Sequence, residues 1–263
     1  MRRLPVLMRI LPDRLKAAAW ARLYRSSGNW PHLFRDAPLE FAPAMSMDLV
    51  PGDIISSSIA FTGVYELPLT RYVAGLARRG GTMIDVGANL GYFSLLWASA
   101  NDGNRCLALE PSPRVVDLLR ANVNRNRLGA RIEVIGSAAG RERGRLDFHL
   151  GPPDQLGWGG FSPRTPETVS VDVVRIDDLV PAEPIALLKI DAEGADAWVL
   201  MGCEKLLRKR LIGSIRFEQN RPRMRHLGIA DDEVGKFLKS VGYVASQRTD
   251  PSRDNADWFA APG

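Results

Sequence analysis

The sequence predicts an α/β fold: a mostly parallel sheet with right-handed crossovers and helices on both faces. Three observations carry that prediction. Short apolar runs recur at 82–86 (TMIDV), 105–110 (RCLALE), 131–135 (RIEVI), 185–191 (IALLKID) and 213–218 (GSIRFE), each of the length and composition of a buried strand. Helical patterns with recognisable ends lie between them. Residues 82–98, TMIDVGANLGYFSLLWA, pass from one such strand through a two-glycine turn straight into an apolar-rich segment. With 263 residues, the chain can bury one full core with additions.

The elements follow in order. Residues 1–45 are expected to be a basic, helical N-terminal extension, and 46–263 the main domain. Residues 1–35 carry Arg2, Arg3, Arg9, Arg14, Lys16, Arg22, Arg25 and Arg35 against Asp13 alone, a charge of +7 within a chain total of +5. The rest of the chain is therefore close to neutral, which argues against a nucleic-acid partner, since that needs positive charge along the working surface. The extension reads as a solvated amphipathic helix packed on the domain, or alternatively as peripheral attachment to an anionic membrane surface or partner. Arg9, Asp13, Arg14 and Lys16 interrupt its apolar residues, so neither a membrane span nor a signal peptide is expected, and the expected location is cytoplasmic. Cys106 and Cys203 belong to no metal-binding or disulfide pattern and read as buried thiols.

Ser112 and Pro113 open a helix over PRVVDLLRANVNRN, and Asp231 is placed to cap DEVGKFLKS before Gly242. Between the third and fourth strands the rhythm breaks. RLDFHL and VSVDVVRI alternate like a half-buried hairpin, and a Gly/Pro-rich loop at 151–168 joins them. Within this hairpin and lid-like insertion, 146–176, the loop is expected to act as a lid or substrate loop, or else to be surface decoration, with Trp158 and Phe161 able to cover an apolar ligand face.

The turn DVGANLG spaces Gly87 and Gly91 as G-x-x-x-G, with Asn89 where nicotinamide-binding folds place a middle glycine for the pyrophosphate. That disfavours a dehydrogenase. With Asp85 before Gly87, and Glu110 ending the next strand where a carboxylate can accept from both ribose hydroxyls, the pattern favours a sulfonium cofactor, S-adenosylmethionine.

IDVGANLGYFSL, GVYE (63–66), ALEPSP (108–113) and above all LLKIDAEGADAWVLMG (187–202) resemble the FkbM family of S-adenosylmethionine-dependent methyltransferases over roughly residues 45–247. The resemblance implies a class I methyltransferase (Rossmann-like) fold of seven strands, the last antiparallel, and an O-methyltransferase acting on hydroxyls of sugars, glycolipids or polyketides. It further implies that Asp85, Gly87, Ala88, Asn89 and Gly91 wrap the methionine end of the cofactor. Glu110 with Pro111 would take the ribose, Ser137 and Ala138 would border adenine, and Tyr65 and Glu66 would close over the ligand.

Methyl transfer from a sulfonium requires an aligned oxygen and removal of its proton. Asp191, Glu193 and Glu218 stand at strand ends facing that region, with His226 as a further candidate base. Asp191 also reads as a helix N-cap. A direct carboxylate base is preferred over Mg²⁺ held by Asp191, Glu218 and Asn220. Arg221, Arg223 and Arg225 could grip a substrate anion or form a solvated loop, and His32 and His149 read as structural. DAEG stands where a nucleic-acid amino-methyltransferase would carry an Asn/Asp-Pro-Pro-aromatic turn. The remaining alternative is a non-catalytic cofactor-binding protein.

Overall fold

The computed structural model describes residues 29–161, 166–247 and 254–263. Most of the basic extension, residues 1–28, lies outside the described residues. The main sheet contains seven strands: β1 (Thr82–Val86), β2 (Arg105–Leu109), β3 (Ile132–Ile135), β4 (Leu187–Ile190), β5 (Ile215–Asn220), β6 (Tyr243–Gln247) and β7 (Asn255–Pro262). Their order is β6-β7-β5-β4-β1-β2-β3. β1 pairs in parallel with both β2 and β4, while β7 lies antiparallel between β5 and β6.

The central strands are buried on both faces, which is why they read as continuous apolar runs instead of alternating ones. Successive side chains point to opposite faces. Met83, Cys106, Ala108 and Leu187 join a core with α1 (Ile54–Thr62), α2 (Leu67–Ala77), α3 (Tyr92–Ala100) and α4 (Pro113–Arg125). Ile84, Val86, Leu107, Leu188 and Ile190 join the opposite core with α5 (Asp196–Met201), α6 (Glu204–Arg208), α7 (Arg221–His226) and α8 (Glu233–Ser240).

Three local expectations need correction. Ser112 occupies the cap position of α4, but its side chain makes no cap bond; its carbonyl accepts from Val115 N and Val116 N. Asp232, not Asp231, precedes α8, where the amide of Ala230 donates to Glu233 Oε2 at 3.1 Å. Asp191 caps no helix, because a turn intervenes and α5 begins only at Asp196, after Ala195.

Among residues 29–45 there is a 3₁₀ turn, Pro31–Leu33, and a short strand, Ala37–Pro38, paired antiparallel with Ser46–Met47. Phe34, Ala37, Leu39, Ala42 and Met47 are buried in the core with α1 and α3. The boundary drawn at residue 45 therefore falls inside a packed ribbon. In the insertion, Gly144–His149 pairs antiparallel with Thr168–Val174, and Ala138–Ala139 lies parallel on the other edge of Thr168–Val174. The loop between the hairpin strands turns back through a 3₁₀ turn at Leu156–Trp158.

Candidate active site

A cavity of about 410 Å³ opens at the C-terminal ends of β1, β2, β4 and β5, where open parallel sheets bind ligands. The β1–α3 turn forms its floor. Gly87 N and Ala88 N both donate to Leu109 O at 3.0 Å, and Asp191 N donates to Val86 O at 3.0 Å, so the ends of three neighbouring strands are tied together. Asn89 takes a left-handed conformation, φ 50°, and its amide donates to Glu110 Oε2 at 2.9 Å. Ser112 N donates to Glu110 Oε1 at 2.9 Å. Each oxygen of that carboxylate thus holds one backbone amide and retains a lone pair for a ligand hydroxyl.

The cavity wall contains Tyr65, Glu66, Gly87, Ala88, Asn89, Glu110, Pro111, Ser137, Ala138, Asp191, Glu193 and Glu218. Twelve of the fifteen residues expected at the site are therefore brought together. Three are not. Gly91 starts α3 at φ 94°, where a Cβ would lie 2.6 Å from Leu119 Cδ1, so its place in the turn is conformational. His226 is exposed on α7, with Nδ1 2.8 Å from Pro222 O, and takes no part in the wall. Asp85 is fully buried beneath the floor; it accepts from Ser94 Oγ at 2.7 Å and pairs with Lys189 Nζ at 3.2 Å. Asp85 and Gly91, expected at the cofactor, and His226, expected as a base, thus stand outside the cavity wall.

The insertion supplies Phe148, Leu156, Gly157, Trp158, Gly159 and Phe161 to the same wall. Its loop is held at both ends of the 3₁₀ turn. Asp53 accepts from Ser56 N at 2.7 Å, capping α1, and from Leu156 N at 3.0 Å. Arg223, buried on α7, pairs with Glu193 Oε2 at 2.9 Å and donates to Trp158 O at 3.1 Å. Of the three arginines 221, 223 and 225, only Arg223 is buried. It ties the insertion loop to the turn after β4.

Asp191 is the common electrostatic neighbour of the acids around it. Burial first, and Asp191 second, push Asp196 up to about 7 and Glu218 up to about 8. Glu66, which faces the cavity solvent, is also raised, by desolvation within the cavity walls and then by Asp191. Burial raises Tyr65 too, with Glu66 and Asp191 adding to it. Burial likewise raises Glu110 to about 7 against the lowering effect of its two amide bonds. Burial would depress Lys189, but Asp85, Asp191 and Glu66 more than offset it and hold its ammonium charged.

Lys189, Asp196 and Asp53 escaped the sequence reading. For Lys189 a signal existed: a lysine inside an otherwise apolar strand is buried only when paired. Asp196 accepts from Glu218 N at 3.0 Å, which fixes the start of α5 against β5. Among the described residues, no group of three or more His, Cys, Asp or Glu side chains is arranged to hold a metal ion.

The FkbM methyltransferase domain matches residues 85–245. The chain belongs to the FkbM methyltransferase family. The 31-O-demethyl-FK506 methyltransferase FkbM of Streptomyces tacrolimicus is 30% identical over 163 aligned residues, covering 48% of this chain and 61% of the relative. A crystal structure of methyltransferase FkbM from Methylobacillus flagellatus KT aligns with a TM-score of 0.51 and 15% identity, over 92% of this chain and 60% of that one. The delta-N METTL16 MTase domain aligns with a TM-score of 0.50 and 13% identity, over 90% and 94% of the two chains. The chain thus spans about 60% of the length of the FkbM relatives it matches. These likenesses show the class I methyltransferase fold.

Family membership implies S-adenosylmethionine as the cofactor, and the wall suits it. Carboxylates surround a space for a ligand that carries sulfonium and ammonium charges, and Glu110 keeps lone pairs for hydroxyls.

Proposed function

We propose that the chain is an S-adenosylmethionine-dependent O-methyltransferase acting on a hydroxyl of a sugar, glycolipid or polyketide-type small molecule. The observation that carries this reading is one cavity whose wall joins Glu110 and the Gly87 turn to the carboxyl groups of Asp191 and Glu218. The bound cofactor supplies a methyl group already activated by its sulfonium.

The protein's part is alignment, proton removal and exclusion of water. Asp191 is the proton acceptor, since Glu193 is engaged by Arg223 and Glu218 holds its own proton at neutral pH. Protonated Glu218 can donate a hydrogen bond that orients the acceptor oxygen. Leu156, Trp158 and Phe161 cover the cavity and keep water from competing for the methyl group. The relative from Streptomyces tacrolimicus is named for a 31-O-demethyl substrate, which supports oxygen as the acceptor atom and polyketide hydroxyls as the first class to screen. The basic extension would bring the protein to an anionic membrane surface where such amphiphilic acceptors collect.

Calorimetric titration with S-adenosylmethionine and S-adenosylhomocysteine, with NAD as the control, tests cofactor choice. Micromolar binding of the first two and none of NAD is expected. Transfer of a labelled methyl group to a panel of hydroxylated glycolipids and polyketides then tests the acceptor. Cofactor binding with no transfer to any hydroxyl would favour a non-catalytic cofactor-binding protein.

A further inference from the structure

Lys189 is the one cationic side chain among the described residues that line the cavity. Around it in that wall stand the carboxyl groups of Glu66, Glu110, Asp191, Glu193 and Glu218. Lys189 is 3% exposed, and its Nζ lies 5.2 Å from the centroid of the Phe93 ring and 3.2 Å from Asp85 Oδ1. The β1–β4 register sets Asp85 and Lys189 directly opposite each other, and Ser94 fixes the second oxygen of Asp85. Together the two charges cancel. Asp85 therefore presents no net negative charge to the cavity, and Lys189 is the member of the pair that lines it.

This arrangement matters for a ligand that ends in an amino acid. The acidic wall suits the ammonium and sulfonium groups of S-adenosylmethionine, but it repels that ligand's own carboxylate. Resting on the function proposed above, we propose that Lys189, oriented by Asp85, is the recognition point for the carboxylate of the cofactor's amino-acid end. Asp85 is then a positioning residue that acts through Lys189. The raised affinity of Lys189 for its proton supports the ammonium form at neutral pH.

The test compares S-adenosylhomocysteine with its decarboxylated analogue by calorimetry. The wild-type protein is expected to prefer the carboxylate by about tenfold to a hundredfold, the range of a charge-assisted hydrogen bond. Lys189→Met alone would strand Asp85 as a buried charge, so the informative protein combines Lys189→Met with Asp85→Asn, which removes both charges. That variant is expected to bind the decarboxylated analogue as the wild type does and to lose the preference. In the wild type, the ¹⁵N resonance of the Lys189 ammonium should shift with S-adenosylhomocysteine and not with the analogue. A preference that survives in the double variant, or a wild-type protein that binds both compounds equally, would overturn the assignment and leave the methyltransferase reading standing. Failure of the wild type to bind either compound would overturn both.

Discussion

The carbonyl oxygen of Asp191 occupies the space that a side chain at position 87 would need: a Cβ on Gly87 would lie 2.0 Å from it. Gly87 also sits at φ 70°, a conformation that side chains rarely adopt. The absent side chain lets β4 close against the β1 turn and places Asp191 over the cavity. Gly87→Ala must push the two strand ends apart, at a cost of about 1–3 kcal/mol. Cofactor affinity should fall at least tenfold. Thermal unfolding and calorimetry check the two effects, and an unchanged affinity would show that the close approach does not shape the site.

Asp191 is assigned the proton, so its neutral isostere separates charge from shape. Asp191→Asn is expected to lower turnover by about a hundredfold or more, in keeping with the contribution of a positioned base, while cofactor affinity stays within about twofold. Removing the Asp191 charge should also lower the pKa of Glu218, whose upward shift Asp191 reinforces. Carboxyl ¹³C shifts across a pH titration read that change directly. Wild-type turnover in Asp191→Asn would move the role of base to Glu218.

Glu110, Asp196 and Glu218 are raised to about 7, 7 and 8 from the ordinary 4.5, 3.8 and 4.5. Between those limits the folded protein holds protons that the unfolded chain has released, so stability is fullest at the acid end and declines as pH rises through 7 to 8. Urea midpoints should therefore fall from pH 6 to pH 8. Glu218→Gln should flatten the upper part of the decline. Midpoints that rise with pH over this range would contradict the shifts.

The central strands β1, β2 and β4 were legible because they are buried on both faces and read as short, mainly apolar runs. Glu110 and Asp191 were legible because they follow directly on β2 and β4, where position along a strand alone decides which end a side chain occupies. Register across strands is another matter. Nothing local to Asp85 shows that Lys189 stands opposite it, so the charge assigned to the ligand proved to be neutralised inside the fold. His226 stands outside the wall for a related reason: its place depends on how α7 turns after β5, and there Arg223 is buried while His226 is exposed. Helix α1 left little trace because Ser56 and Ser57 are buried in it and break the apolar pattern, although Ile54, Ile55 and Ile59 all reach the cavity. A lid-like loop was legible from its composition, but its fastenings were not, since Asp53 and Arg223 lie far from it in sequence.

Those fastenings make the last prediction. Asp53 holds the amide of Leu156, and Arg223 holds the carbonyl of Trp158, so the stretch over the cavity is pinned at the first and last residues of its 3₁₀ turn. Burial raises the carboxyl of Asp53 from its ordinary value, against the pull of its amide bonds, but the amides require only an acceptor oxygen. Asp53→Asn should therefore keep most of the contact, whereas Asp53→Ala loses both the α1 cap, about 1 kcal/mol, and the grip on Leu156. Arg223→Met removes the hydrogen bond to Trp158 O and the ion pair with Glu193. Because Glu193 is partly exposed, the cost should stay below the roughly 3–5 kcal/mol of a fully buried broken pair. Amide exchange at residues 156–160 should quicken in Asp53→Ala and in Arg223→Met while exchange in β1 and β4 stays slow, and the Michaelis constant for the acceptor should rise more than that for the cofactor. Equal protection of the loop in wild type and both variants would mean that the hairpin strands alone hold it over the cavity.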